Sequence, residues 1–147
     1  MKVKTLLIST LTFVLLLFIS CSDNNDGTGP EEIVTELEGT WIGSDSFYPA
    51  SILVTFIFSG NNWDFTTSEQ SEWFKGTFTL NTSTNPKQVN AKVNESSATE
   101  AIGNTSLGIY KIEGNTVTFA ANEPGITIRP SSFISSAEVR VWVLIKQ

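Results

Sequence analysis

From Gly39 to Gln147, β-branched and aromatic residues alternate with polar ones, and no long stretch repeats at the 3.6-residue period of a helix. Gly39 to Gly43 reads as a first strand, and Ser51 to Ser59, with Ile-Leu-Val-Thr-Phe-Ile-Phe at its centre, as a second and more deeply buried one. Gly60-Asn61 supplies the residues a tight turn needs, and Asn62 to Thr67 returns as a third strand. A fourth runs from Trp73 to Asn81, with Phe74, Gly76, Phe78 and Leu80 on one face and Trp73, Lys75, Thr77 and Thr79 on the other. After a polar loop containing Pro86, Val89, Ala91 and Val93 alternate with Asn90, Lys92 and Asn94 in a fifth. Ser96 to Asn104 is small and polar, a loop or a distorted edge.

Thr105 to Glu113 is the sixth strand, and Gly114-Asn115 turns it into Thr116 to Ala120, the seventh. Pro124-Gly125 and Pro130 interrupt the next segment. Val139, Val141, Val143 and Ile145 then mark the eighth strand, with Arg140, Trp142, Leu144 and Lys146 opposite. Short antiparallel strands joined by tight turns predict an all-β domain, a closed eight-stranded up-and-down barrel that removes exposed sheet edges. Such a barrel is filled by side chains or holds one small ligand. Strand count alone leaves a β-sandwich as the alternative.

The first twenty residues follow a different pattern. Lys2 and Lys4 precede an apolar run from Leu6 to Ile19, and Ser20 is small, the three parts of a secretory signal. The run is shorter than the ~20 apolar residues of a membrane-spanning helix. Cys21 is the only cysteine, so no internal disulfide forms. Ser22 to Pro30 contains no hydrophobic residue and predicts a flexible tether. Glu31, Glu32, Glu36 and Glu38, interleaved with Ile33, Val34 and Leu37, are enough for one or two helical turns with a solvated acidic face. The expected organisation is a signal peptide over 1–20, a tether with a short helix over 21–36, and the barrel over 37–147.

Charge narrows the partners. Without Lys2 and Lys4 the remaining chain has seven basic and fifteen acidic residues, a formal charge of −8. That excess argues against nucleic acid and against electrostatic attachment to anionic headgroups. There is no histidine, which excludes Ser-His-Asp and Cys-His arrangements and His-based zinc sites. No phosphate-binding glycine loop occurs. Asp64, between Trp63 and Phe65, is the carboxylate best placed for acid chemistry, and solvation opposite two inward aromatics is its plainer reading. The expectation is a non-enzymatic protein with no metal and no cofactor. Four Trp, ten Phe and two Tyr supply either a ligand cavity or the bulky filling of a small core. Trp63, Trp73, Phe78 and Tyr110 are the candidate ligand contacts. Trp73 and Trp142 lie on the more polar faces of their strands; if exposed, they suit a protein or sugar partner.

Two resemblances add to this reading. Phe18-Ile19-Ser20-Cys21 resembles a bacterial lipobox, with Phe18 where Leu is usual, and the Ser, Asp and Asn residues that follow resemble the surface-export signal of Bacteroidota lipoproteins. The resemblance implies cleavage before Cys21 and acylation of that residue with chains such as palmitate. It also implies anchorage in the outer membrane of the cell envelope, with surface display. Two or more acyl chains make such anchoring stable where one is marginal. Gly39-Thr40-Trp41 resembles the G-x-W signature of the lipocalins. With Gly76-Thr77-Phe78-Thr79-Leu80, Gly108-Ile109-Tyr110 and Arg129-Pro130-Ser131-Ser132-Phe133, in that order, it is similar to an uncharacterised bacterial lipocalin-like domain. That likeness implies a small barrel and brings no activity. It implies that Trp41 packs at the closed end under an arginine, Arg140 first and Arg129 second. The partners expected are the bilayer, through Cys21, and a small apolar ligand in the barrel; the alternative is a packed barrel that meets an envelope protein or a glycan through its outer surface.

Overall fold

The computed structural model describes residues 35–147. The signal peptide, Cys21 and most of the tether lie outside the described residues. Eight antiparallel strands form one closed barrel in sequence order: β1 (Gly39–Asp45), β2 (Val54–Ser59), β3 (Asn62–Thr67), β4 (Trp73–Asn81), β5 (Lys87–Ser96), β6 (Thr105–Glu113), β7 (Thr116–Asn122) and β8 (Val139–Lys146). Closure comes from β1 against β8, where Trp41 faces Lys146 and Asp45 faces Trp142. The up-and-down barrel is the observed fold, and the sandwich is not. Between β5 and β6 the chain is a loop, one of the two forms expected there, and it carries a single 3₁₀ turn, Thr99–Ala101.

Every second residue points inward, as the pleat requires. Phe56 and Phe58 from β2, Trp63 and Phe65 from β3, Phe74 and Phe78 from β4, Phe119 from β7 and Trp142 from β8 are all buried in one core. Phe56 is its hub, with ring centroids of Phe65 at 5.0 Å, Phe119 at 5.7 Å, Trp142 at 5.7 Å and Phe58 at 6.0 Å. Such offset and edge-on aromatic pairs each add about 0.5–1.5 kcal/mol beyond the area they bury. A bulge between Lys75 and Gly76 lets β4 bend against β5. Gly76 is needed there: a Cβ would stand 1.8 Å from the Lys92 carbonyl oxygen and 3.0 Å from Trp63 Nε1. That absence of a side chain lets Trp63 Nε1 donate to Lys92 O at 3.2 Å.

The eighth strand turns the other way from its most apolar face. Arg140, Trp142 and Leu144 are buried inside, while Val143 and Ile145 are exposed on the outer wall. Pairing with β1 and β7 sets that register. β-branched residues are good strand formers even when solvated, so Val and Ile outside cost little.

The barrel has two unlike ends. The β2–β3, β4–β5 and β6–β7 connections lie at one, with the start of β1; the β1–β2, β3–β4, β5–β6 and β7–β8 connections lie at the other. The β7–β8 connection lies against the outside of the wall. Arg129 Nη1 donates to Val89 O at 2.8 Å and to Gly108 O, and Nη2 donates to Asn90 Oδ1. Ile109 and Ala120, both outward-pointing, are accordingly buried.

Candidate functional site

The closed end is built by the residues just before β1. Glu38 N–H donates to Thr35 O at 3.0 Å, so Thr35 to Glu38 is a turn; the rest of the stretch expected to make one or two helical turns lies outside the described residues. Leu37 is wholly buried, and Trp41 Nε1 donates to its carbonyl at 2.6 Å. Glu36 is exposed but not left to water alone. Its carboxylate accepts from the buried Tyr110 hydroxyl at 2.5 Å and from Lys87 Nζ at 2.6 Å. Burial alone would raise the Glu36 carboxyl, but the bonds from Lys87 and Tyr110 outweigh it and hold the group below its ordinary range. Burial first, and the hydrogen bond to Glu36 second, push the Tyr110 hydroxyl well above its ordinary value. Glu38 accepts from Gly60 N–H at 3.0 Å, joining the turn to the β2–β3 hairpin.

The expected pairing of Trp41 with Arg140 or Arg129 does not form. The cation over Trp41 is Lys146, its Nζ 5.3 Å from the ring centroid. Gly39, with φ +113°, makes room, since a Cβ there would stand 3.3 Å from Lys146 Cε. Arg140 lies toward the far end of the same strand, and Arg129 is spent on the outer wall. The register explains it: antiparallel pairing puts the last residue of β8 beside Trp41 and carries Arg140 past Asp45.

The open end is built around Arg140. Its Nη2 bonds Asp45 Oδ2 at 2.6 Å, its Nε bonds the same oxygen at 3.2 Å, and its Nη1 bonds Glu72 Oε1 at 2.9 Å. Glu123 stands 3.8 Å away. The rings of Phe47, Tyr48, Phe65 and Trp142 surround the guanidinium at 5.2–5.7 Å. Burial would lower the Arg140 pKa, but the bonds to Glu72 and Asp45 outweigh it, and the net shift is upward. The ion triad and four rings therefore hold one fixed cation at the mouth.

Below this cluster lies a cavity of about 80 Å³, lined by Phe56, Phe65, Phe74, Phe119, Trp142 and Trp63 among others. Its lining continues to the exposed Glu123, so it reaches the surface beside the β7–β8 connection. Trp142 Nε1 and Asn122 Oδ1, both on lining residues, are buried without hydrogen-bond partners. Drug-sized sites run to roughly 300–1,000 Å³, and a water needs only about 10–15 Å³. The space suits a guest of a few heavy atoms, or the tip of a longer one.

Of the candidate ligand contacts, Trp63 lines this cavity. Phe78 packs in the core with its ring 5.1 Å from Phe58, Tyr110 is engaged by Glu36 at the closed end, and Trp73 points out of the barrel. Trp142, expected on a polar outer face, is a wall of the cavity. Phe56 and Phe58 went unnamed as contacts although the Phe-x-Phe alternation of β2 already put both on one face. Arg140 and Asp45 gave no such signal, being 95 residues apart. Asp64 is half-buried on the outer wall opposite Lys75. Among the described residues no group of acids is placed to hold a metal ion. No family model matches this chain, and no curated protein or solved structure matches it either.

Proposed function

We propose that this chain is a bacterial lipoprotein, anchored in the outer membrane by acylated Cys21, whose lipocalin-like barrel is a non-enzymatic binding module for a small apolar ligand. The observation that carries the reading is the aromatic cavity of about 80 Å³ opening beside the β7–β8 connection. A packed barrel of this size has no need of that space, since interiors otherwise close to crystal-like density. An apolar guest would gain by leaving water, at about 25 cal/mol per Å² of buried apolar surface. The Arg140 triad supports orientation and not attraction of charge, because Asp45 and Glu72 already neutralise it.

The test uses benzene as the probe. Titration should change tryptophan emission saturably, because Trp63 and Trp142 form the walls. Ala121→Leu, which adds bulk to the same lining, should abolish the response while the barrel stays folded. Absence of any saturable response in the unsubstituted chain would sink the binding reading. For the anchor, Cys21→Ala should end acyl labelling and release the domain from membranes.

A further inference from the structure

The outer wall carries an arrangement that neither the core nor the cavity uses. Trp73 begins β4 on the outward parity shared with Lys75 and Thr77, and it is only half-buried. Around it, Ile57 of β2, Asp64 and Thr66 of β3, Gln70 of the β3–β4 connection and Lys75 of β4 border an open depression of about 370 Å³. Trp73 is tied to the fold through its backbone, which exchanges hydrogen bonds with Ser97 at 3.0–3.3 Å. The ring itself is left to the surface.

The polar groups beside the ring are unspent. Asp64 and Lys75 face each other across β3 and β4, yet among the described residues neither takes part in an ion pair. Gln70 is exposed and held at φ +53°, a left-handed conformation uncommon for a residue with a side chain. An aromatic face bordered by a free carboxylate, an ammonium and an amide is the chemistry that meets a pyranose ring. The C–H face of the sugar packs on the indole, and its hydroxyls donate to Asp64 and accept from Lys75 and Gln70. The two charges cancel, so the depression has no preference for an ionic ligand.

We propose that the outer face around Trp73, with Asp64, Gln70 and Lys75, is a binding site for a neutral hexose unit of a glycan, separate from the barrel cavity. The test is isothermal titration of the full chain, in a sugar-free detergent, with maltohexaose, cellohexaose and mannohexaose. At least one should bind saturably, and its binding should shift Trp73 emission. Trp73→Ala should weaken that affinity by about tenfold, as loss of an aromatic platform does. Asp64→Asn and Lys75→Met should each weaken it by a smaller factor. The benzene response of the cavity should be unchanged in all three variants, which also shows that each still folds. Failure of all three hexaoses to bind, or equal affinity of the Trp73→Ala variant, would overturn the proposal. Loss of the benzene response in the unsubstituted chain alone would touch only the cavity reading.

Discussion

At one end of the barrel, Leu37 and Trp41 shut the interior with apolar bulk and a hydrogen bond to backbone, and their charged neighbours Glu36, Lys87 and Lys146 stay near the surface. At the other end the stopper is itself an ion, Arg140, drawn inside by Asp45 and Glu72 and ringed by aromatics. Apolar closure leaves Leu37 and Trp41 almost wholly buried. Ionic closure is bound by the fixed geometry of guanidinium and carboxylate, and the space under Arg140 stays open. One strand supplies both stoppers, Arg140 near its start and Lys146 at its end. The difference teaches that one small barrel can be closed by hydrocarbon at one end and by an ion triad standing over a cavity at the other.

The largest effect should come from Asp45→Ala. Truncating one partner of a buried ion pair leaves the other charge poorly compensated and costs about 3–5 kcal/mol. Urea denaturation reads it directly, and a loss below about 1 kcal/mol would show that Glu72 alone holds Arg140. Next is Leu37→Ala at the opposite end, where removal of a fully buried side chain costs about 2–4 kcal/mol. Its benzene response should persist, because Leu37 is remote from the cavity; loss of the response would mean that the two ends are coupled.

Tyr110→Phe should be milder, about 1 kcal/mol at neutral pH, for one hydrogen bond to Glu36. It should also change the acid limb. The folded Glu36 carboxyl lies below its ordinary value of 4.5, so its contribution is fully present above that pH and is lost as pH falls through the lower folded value. With one of the two bonds removed, the fall in stability below pH 4.5 should become shallower. An unchanged acid limb would mean that Lys87 alone sets the Glu36 shift. The smallest effect should be Lys146→Met, about 0.5–1 kcal/mol for an exposed cation over Trp41. Thermal denaturation at low and high salt separates that contact from lost packing of the lysine stem.

Much of the architecture was legible because it depends on local physics. Strands β3, β4 and β6 begin and end where the alternation and the Gly60 and Gly114 turns predict. β5 and β7 run a residue or two longer than their apolar positions indicate, because ladder pairing continues past the last apolar residue. The site was less legible. Trp63 was found because its strand alternates cleanly between aromatic and polar residues. Trp142 was misplaced because both faces of β8 are rich in apolar residues, and only pairing with β1 and β7 selects one. The partner of Trp41 was misassigned for the same reason: the register, not the type of cation, decides which end of β8 it meets.

Period-two patterning and turn residues by themselves determined that this chain is all-β with eight short strands, because each signal acts within a few residues. The absence of histidine and the lone Cys21 likewise bounded its chemistry without any coordinates. Only the tertiary structure decided that the strands close into a barrel and that Arg140 belongs inside. The ion triad joins residues as many as 95 positions apart, and its stability exists only once barrel closure has taken those charges out of water together.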